Sequence, residues 1–296
     1  MDTVLEESGT ITITQTLNPD DLAEGWRAME TLRPSLHVDV TVGAKTDLGS
    51  VRENNEDKYD MLEPREPALL ASKGRLYGVA DGMGGHSAGQ IASEIALKTL
   101  IHFYFSDPSI EPEQSLRAAI EIANHAVHED AQLLPERQGM GTTLTACAVR
   151  ENKLHVIHVG DSRLYLVRDG AVRQVTEDHS WVAEQVRLGG MSIEEALASP
   201  YRNIILRSVG TGPMIEPDYF VEDLQEGDAV VICSDGLTGH IEESELAAFT
   251  GADVLRRIGP SVAAQRLVEL ANDRGGRDNI TVVVLFMESI EPYGGD

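Results

Sequence analysis

Five aspartates stand where apolar, strand-like runs give way to turns, and their carboxylates are the groups in this chain best suited to chemistry. They are Asp57, Asp81, Asp161, Asp235 and Asp278. If these turns meet in space, the carboxylates repel one another, since one pair about 4 Å apart costs about 4 kcal/mol at an effective dielectric near 20. Protonation or hard cations must relieve that repulsion. Ligands made only of oxygen favour Mg²⁺ or Mn²⁺, so the pattern predicts a metal cluster.

Composition limits what else the chain can do. Its 296 residues are 42% hydrophobic, which suits one large domain or two small ones with a substantial core. Acidic residues number 49 against 24 basic ones, for a formal charge of -25. This surface repels phosphate backbones, so we expect neither nucleic-acid nor anionic-membrane binding. The same charge leads to the hypothesis that substrates carry basic flanks.

Cysteine usage and hydropathy indicate a cytoplasmic protein. Cys147 and Cys233 both lie in apolar, strand-like runs and read as buried free thiols in a reducing compartment. The N-terminus lacks the positive start and apolar core of a signal peptide. The most continuous apolar run, 282–287, is too short to cross a bilayer. We therefore expect a soluble, cytoplasmic monomer.

Patterning divides the chain into an acidic N-terminal extension, residues 1–37, and one domain, residues 38–291. The extension has a β-like alternation at 9–16 and a helical pattern at 19–32, and we expect a tail or a strap on the main domain. Apolar residues at helical spacing predict helices at 88–104, 112–134, 178–189, 192–199, 242–249 and 260–273. Strands are predicted at 38–47, 57–62, 74–81, 142–149, 153–160, 163–169, 171–176, 228–235 and 279–287.

Short connections between these strands favour antiparallel pairing. Asp169-Gly170 is a strong hairpin signal, because a type I′ turn requires positive φ at both residues. Unbroken apolar runs near the C-terminus predict strands covered on both faces. The expected fold is α+β, with two mainly antiparallel sheets packed together and helices on their outer faces. Residues 178–217, irregular from 189 onward, are expected to form a mobile flap.

Seven motifs in order give the chain a clear resemblance to a known family. They are RENNED, VADGMGGH, GMGTTLTA, HVGDSRLYLVRDG, EDHS, ICSDGLT and GRDNITVVV. Together they make residues 38–287 resemble a bacterial PP2C-type (PPM) serine/threonine protein phosphatase. The resemblance implies an αββα sandwich, a binuclear Mn²⁺ or Mg²⁺ centre and hydrolysis of phosphoserine and phosphothreonine. It also implies phosphorylated proteins as partners, among them a serine/threonine kinase and its substrates.

The resemblance assigns metal ligands by position. Asp81 matches the carboxylate that bridges two metals, and the Gly82 carbonyl matches a ligand of the second. Asp235 and Asp278 match ligands of the first metal. Asp57 matches an acid that holds a metal directly or through water. In the GDSR motif, Asp161 matches the ligand of a third, weaker ion.

Substrate contacts follow from the same resemblance. Arg52 matches the guanidinium that grips the substrate phosphate, a role suited to a planar fork of donors. His86 either protonates the leaving group or structures the glycine turn. Arg207 either steers substrate near the flap or forms an internal salt bridge. His179, in the EDHS motif, is expected to be a structural hydrogen-bonding residue.

The implied mechanism is in-line attack on phosphorus by a water or hydroxide held between two divalent ions, with no covalent phosphoenzyme. Two other functions are alternatives to a protein phosphatase. One is a catalytically weak, phosphatase-like scaffold that binds phosphoproteins or senses metal. The other is a metal-dependent phosphodiesterase or nuclease, which the absence of histidine-rich metal motifs and the acidic surface disfavour.

Overall fold

The computed structural model describes residues 31–84 and 87–294, and it contains two antiparallel five-stranded sheets. The strands are β1 Leu36–Asp47, β2 Lys58–Leu62, β3 Arg75–Ala80, β4 Gly82–Met83, β5 Gly141–Thr142, β6 Leu144–Arg150, β7 Lys153–Val159, β8 Arg163–Arg168, β9 Ala171–Gln174, β10 Asp218–Asp223, β11 Ala229–Cys233 and β12 Ile280–Pro292. The first sheet has the order β1-β12-β11-β8-β9, and the second has the order β10-β7-β6-β3-β2. Strands β4 and β5 form a separate two-residue pair.

Helices cover the outer face of each sheet. They are α1 Pro67–Ser72, α2 Ala88–Ser106, α3 Pro112–Leu133, α4 Trp181–Arg187, α5 Ile193–Ala198, α6 Asp235–Thr238, α7 Glu243–Thr250 and α8 Ala252–Asp273, with a 3₁₀ turn at Pro135–Arg137. Helices α2 and α3 pack on the second sheet, while α6, α7 and α8 pack on the first. The predicted αββα sandwich is confirmed.

The alternation of side chains along β12 explains why both faces of the first sheet are buried. Val282, Val284 and Phe286 point into the helix-covered core. Val283 and Leu285 point into the layer between the two sheets. Since successive strand residues face opposite sides, a continuous apolar run is what a strand in the middle of such a sandwich requires.

Several predicted boundaries were wrong. Strand β1 begins at Leu36, inside the predicted extension, and the strand predicted at 142–149 is divided into β5 and β6. Element α8 contains two helical runs, because Gly259 at φ 75° ends the first and Pro260 starts the second; the second matches the helix predicted at 260–273, and the first, from Ala252, was not predicted.

Four short elements had no counterpart in the sequence prediction: α1, β4, α6 and β10. Helix α1 begins with a proline, and β10 reads DYFVED, which resembles a polar loop. Strand β10 tolerates its acidic residues because it is an edge strand, paired only with β7.

Other expectations are confirmed in detail. Asp169 and Gly170 have φ of 51° and 77°, as a type I′ hairpin turn requires. Helix α5 begins with the predicted capping box between Ser192 and Glu195. In the described residues, no helix is both long and apolar enough to cross a membrane. The patterns predicted at 9–16 and 19–32 lie outside the described residues, apart from the last two positions of the second.

Candidate metal centre

The five aspartates come from both sheets and lie at one edge of the sandwich. Asp57 precedes β2, Asp81 follows β3 and Asp161 follows β7, all in the second sheet. In the first sheet, Asp235 follows β11 and Asp278 precedes β12. The negative charges of the other four acids all act on Asp81, so the turns meet in space as predicted.

Desolvation of the carboxylates is the largest influence on their pKa values at this edge. Desolvation, followed by the charges of neighbouring aspartates, raises the pKa of Asp81 well above its usual range. Desolvation also raises the pKa of Asp57 to about 7, that of Asp161 to about 8 and that of Asp235 to about 6. Such carboxylates favour any ligand that supplies positive charge.

Two buried carboxylate oxygens at this edge have no hydrogen-bond partner among the described residues. Asp57, only 1% exposed, and Asp161, 9% exposed, each have a buried Oδ1 without a hydrogen-bond partner. A buried, unpartnered carboxylate oxygen is expensive unless a cation satisfies it. Hard divalent cations take oxygen ligands, so the donor set fits Mg²⁺ or Mn²⁺.

The aspartate side chains do not converge on one complete coordination sphere. Across residues 31–84 and 87–294, no three His, Cys, Asp or Glu side chains are arranged so that they could hold one ion as they stand. Instead, Asp278 Oδ2 accepts from Arg52 Nη2 at 2.6 Å. The ligand assignments of these aspartates therefore stay predictions.

The backbone around Asp81 is fixed by the GMGTT segment. The Asp81 carbonyl accepts from Thr143 N and from Thr142 Oγ1, both at 2.8 Å. The Asp81 amide donates to Thr143 Oγ1 at 3.0 Å. Gly82 cannot be replaced there, because an added Cβ would lie 2.1 Å from the Gly89 carbonyl oxygen. Close contact with α2 thus holds the turn that carries the predicted carbonyl ligand.

Ser234 is a functional residue that sequence reasoning missed. Its fully buried hydroxyl donates to Asp57 Oδ2 at 2.7 Å and accepts from Thr281 N at 3.0 Å. It therefore joins an acid beside the second sheet to the backbone of the first. The only signal in the sequence was its position directly before Asp235, inside the ICSDGLT motif.

Asn279 is a second missed residue. Its Oδ1 accepts from Glu56 N at 2.9 Å, and its Nδ2 donates to the carbonyls of Leu48 and Asn54, each at 2.9 Å. These bonds bring the segment that carries Arg52 against the turn that carries Asp278. The sequence signal was an asparagine adjacent to a candidate ligand.

Arg52 lies at the solvent side of the cluster. Its side chain is 51% exposed, and the hydrogen bond to Asp278 is the main reason that its pKa is raised. Desolvation opposes that effect, and the charges of Glu56 and Asp81 add to it. A half-exposed guanidinium beside buried acids is placed to meet an anion from solvent.

The flap is tied to β10 through Asp218. Arg207 Nη1 donates to Asp218 Oδ1 at 2.9 Å, and His179 Nε2 lies 3.0 Å from Asp218 Oδ2. His179 Nδ1 accepts from Gly160 N at 3.1 Å. Of the two roles considered for Arg207, the internal salt bridge is present, and a role in substrate binding stays a prediction. His86 lies outside the described residues.

Comparison with known sequences decides the family. A sequence profile of the family described as "Protein phosphatase 2C" matches residues 53–271. The chain belongs to the protein phosphatase 2C family. Four of the five aspartates lie within the matched residues, and Asp278 lies just beyond their end.

Comparison with individual relatives supports the same family as the profile. The serine/threonine protein phosphatase PstP of Mycobacterium tuberculosis is 38% identical over 242 residues, which are 81% of this chain and 44% of PstP. The chain thus spans less than half the length of that relative. A putative protein phosphatase 2C-type from Streptococcus pyogenes is 38% identical over 84% of this chain and 98% of its own length.

A solved structure supports the fold of this family member. The crystal structure of the PstP catalytic domain, in complex with two manganese ions, superposes with a TM-score of 0.71. Identity is 35%, and the match covers 85% of this chain and 98% of that one. The neighbour therefore has the same sandwich.

Proposed function

We propose that this protein is a metal-dependent phosphatase that hydrolyses phosphoserine and phosphothreonine in proteins. The observation that carries the proposal is the cluster of buried carboxylates with raised pKa values beside the half-exposed Arg52. Related proteins of the same family are named serine/threonine phosphatases, which supports this substrate class. An extended role is to oppose a serine/threonine kinase in cytoplasmic signalling.

Two Mn²⁺ or Mg²⁺ ions would be held by Asp57, Asp81, Asp235, Asp278 and the Gly82 carbonyl, and Asp161 would serve a third, weaker ion. The PstP structure with two manganese ions supports this number in the core. When bound, such ions supply a water of lowered pKa and neutralise charge on the phosphoryl oxygens. Until cations arrive, the carboxylates repel a phosphate, so we expect the metal-free protein to be inert.

The chain's own residues would position the substrate. Arg52 exchanges its bond to Asp278 for the substrate phosphate, and its planar fork suits two phosphoryl oxygens. Asp278 is then released toward a cation. Ser234 holds Asp57 in one orientation during this exchange, since its hydroxyl is fixed from behind by Thr281 N.

The domain organisation follows the same proposal. With its bounds adjusted to strands β1 and β12, residues 36–292 form the phosphatase domain as a monomer, residues 178–217 form its flap and residues 1–35 form an extension outside the catalytic unit. The isolated bridge of Thr142 with Val209 connects the flap to the site edge, and that of Ser180 with Ile205 lies within the flap.

The test is hydrolysis of p-nitrophenyl phosphate and of a phosphothreonine peptide, each with Mn²⁺ and with EDTA. Metal-dependent phosphate release from both substrates is the expected result. Activity on phosphodiesters alone would move the assignment to a diesterase. Peptide binding with no turnover of either substrate would favour a phosphatase-like scaffold.

Arg52→Ala sharpens the test of substrate binding. The variant should raise KM for the phosphopeptide by about tenfold, because a charge-assisted bidentate contact is lost. Arg266→Ala, an exposed arginine on α8, is the matched control. Equal steady-state constants in the two variants would contradict the role of Arg52.

A further inference from the structure

A buried polar residue of helix α3, Asn124, binds the C-terminal end of the flap. Its side chain is 1% exposed. Its Oδ1 accepts from Gly210 N at 2.7 Å, and its Nδ2 donates to the Gly212 carbonyl at 3.0 Å. One helical turn further along α3, His128 Nδ1 donates to the Gly210 carbonyl at 3.0 Å. Two side chains on one face of α3 therefore satisfy both backbone groups of Gly210.

The flap approaches α3 too closely at this point for any residue other than glycine. Gly210 has a φ of 90°, and an added Cβ would lie 2.2 Å from Val127 Cγ1. Val127 is itself fully buried. A left-handed residue that is packed against a buried side chain and bonded at both backbone groups has little freedom to move. We call this set the flap clamp: Asn124, Val127, His128 and Gly210.

The residue before the clamp pairs with the segment that fixes Asp81. Val209 N donates to the Thr142 carbonyl at 2.8 Å, and Thr142 N donates to the Val209 carbonyl at 3.0 Å. Thr142 also pairs with Gly82 of strand β4, and its Oγ1 donates to the Asp81 carbonyl at 2.8 Å. Thr142 therefore lies between the end of the flap and the turn that carries Asp81 and Gly82.

The route from the clamp to this turn is buried along its length. Asn124, Val209 and Thr142 are all at most 1% exposed. A hydrogen bond broken here would leave a buried polar group unpaired, which is costly. Since close-packed interiors transmit strain, a displacement of Gly210 would be passed to Thr142 and to the backbone of Asp81.

We propose that Asn124 is a positioning residue for the metal centre. It fixes the flap at Gly210, and the fixed end of the flap holds Thr142 against the turn of Asp81. This inference rests on the proposed metal-dependent function and adds a residue to it. It also divides the flap, because residues 209–212 stay with α3 and the metal centre when the residues before them move.

The test measures Mn²⁺ affinity by titration calorimetry. Asn124→Ala should raise the Mn²⁺ dissociation constant by about tenfold, because the turn of Asp81 loses its support. Ser115→Ala is the matched control on the same helix. Ser115 is fully buried, and its Oγ accepts from Lys73 Nζ at 2.8 Å and donates to Asp107 Oδ2 at 2.6 Å. Lys73 precedes strand β3 whereas Asp81 follows it, so the control lies at the opposite end of the sheet.

The control separates a positioning role from a merely structural one. Both variants lose buried hydrogen bonds and should lose stability in urea. Only Asn124→Ala should lose Mn²⁺ affinity, whereas Ser115→Ala should stay within about twofold of wild type, because distant sites act independently. Wild-type affinity in Asn124→Ala, or an equal loss of affinity in Ser115→Ala, would overturn the role of Asn124.

His128→Ala is a milder change to the same clamp. It removes one bond to Gly210 and should raise the Mn²⁺ dissociation constant by about threefold. If Asn124→Ala fails to fold, this variant decides: a loss of affinity beyond that of Ser115→Ala supports the clamp, and an affinity equal to that of the control overturns it.

A double-mutant cycle with Thr142→Val tests the route. Asn124→Ala and Thr142→Val act on the same turn, so their combined loss of Mn²⁺ affinity should be smaller than the product of the two single losses. A combined loss equal to that product would show that the two residues act separately and would overturn the route through Thr142.

Hydrogen exchange in EDTA, measured by NMR, separates this inference from the proposed function because it requires neither metal nor turnover. The amides of Thr142 and Thr143 donate to the carbonyls of Val209 and Asp81. Asn124→Ala should speed the exchange of both amides by about tenfold, whereas the control variant should leave both at the wild-type rate.

The outcomes distinguish the two proposals. If the wild type binds Mn²⁺ but releases no phosphate from a phosphothreonine peptide, the phosphatase proposal fails, while faster exchange at Thr142 and Thr143 together with weaker Mn²⁺ binding in Asn124→Ala would still support the positioning role. Faster exchange confined to residues 210–212 would show that Asn124 supports only the flap and would overturn the inference.

Discussion

Strand β11 has an aspartate near each end, the buried Asp228 before it and the partly exposed Asp235 after it, and the two acids behave in opposite ways. Asp228, 1% exposed, accepts from Arg168 Nε at 2.8 Å, from Arg168 Nη2 at 2.7 Å and from Gln225 N at 2.7 Å. At the other end, Asp235 faces other acids, and its pKa is raised to about 6 by burial and by the charge of Asp278.

This difference separates a structural acid from a functional one. Folding has satisfied Asp228 with an arginine and a backbone amide, so nothing further is needed there. Asp235 and its neighbours keep an unfavourable arrangement that cations can relieve. The two acids differ in their partners: Asp228 has a direct ion pair with Arg168, whereas among the described residues Asp235 has none.

The largest expected effect comes from Asp235→Asn. Turnover of the phosphothreonine peptide with Mn²⁺ should fall by about a thousandfold or more, because a carboxylate assigned to the metals is lost. The melting temperature of the metal-free protein should stay level or rise, since one source of repulsion is gone. Near-wild-type turnover in the folded variant would remove Asp235 from the site.

Asp228→Asn should give the opposite result. We expect a loss of about 2–3 kcal/mol in the free energy of unfolding, because Arg168 loses a bidentate partner in a largely buried pair. Turnover at saturating Mn²⁺, measured below the melting temperature, should stay within about tenfold of wild type. A large loss of turnover without a loss of stability would break the comparison.

Ser234→Ala should have an intermediate effect. The variant leaves Asp57 and the Thr281 amide without the hydroxyl, so Mn²⁺ affinity should fall by about tenfold. Stability should fall by about 1–3 kcal/mol, as for a lost buried hydrogen bond. Titration calorimetry and urea unfolding measure the two quantities. Ser234→Thr keeps the hydroxyl and should recover part of both losses.

The smallest expected effect is a pH dependence of stability in EDTA. Asp57 and Asp161, with pKa values raised to about 7 and 8, bind more protons in the folded state than in the unfolded state. Stability of the metal-free protein should therefore fall as pH rises from 6.5 to 8. Below 6.5, buried His155 and His158, with pKa values lowered to about 4, act in the opposite direction.

Thermal melts between pH 6.5 and 8 check this prediction, and saturating Mn²⁺ should reduce the slope because the ions replace the protons. Asp57→Asn should reduce the slope in EDTA as well. A melting temperature that is constant or rises across this range in EDTA would show that these acids are already neutralised in the fold.

Periodicity predicted most of the sandwich because its central strands and long helices bury continuous apolar faces. Helices α2 and α3 and strands β7 and β8 were found near their actual bounds, whereas β12 extends five residues beyond its predicted end. Strand β10 was missed because an edge strand with one partner can be polar at both ends. The start of α8 was missed because Pro260 marks a second helical run, while the residues before Gly259 give no such signal.

The sequence by itself predicted which residues carry the chemistry, since five aspartates in seven ordered motifs leave few other uses for so many acids. Only the tertiary structure decided how each is held: Ser234 against Asp57, Asn279 beneath the Arg52 segment and Arg52 on Asp278. The physical reason is that residue type and spacing encode local structure, whereas hydrogen bonds between distant segments depend on how the two sheets pack.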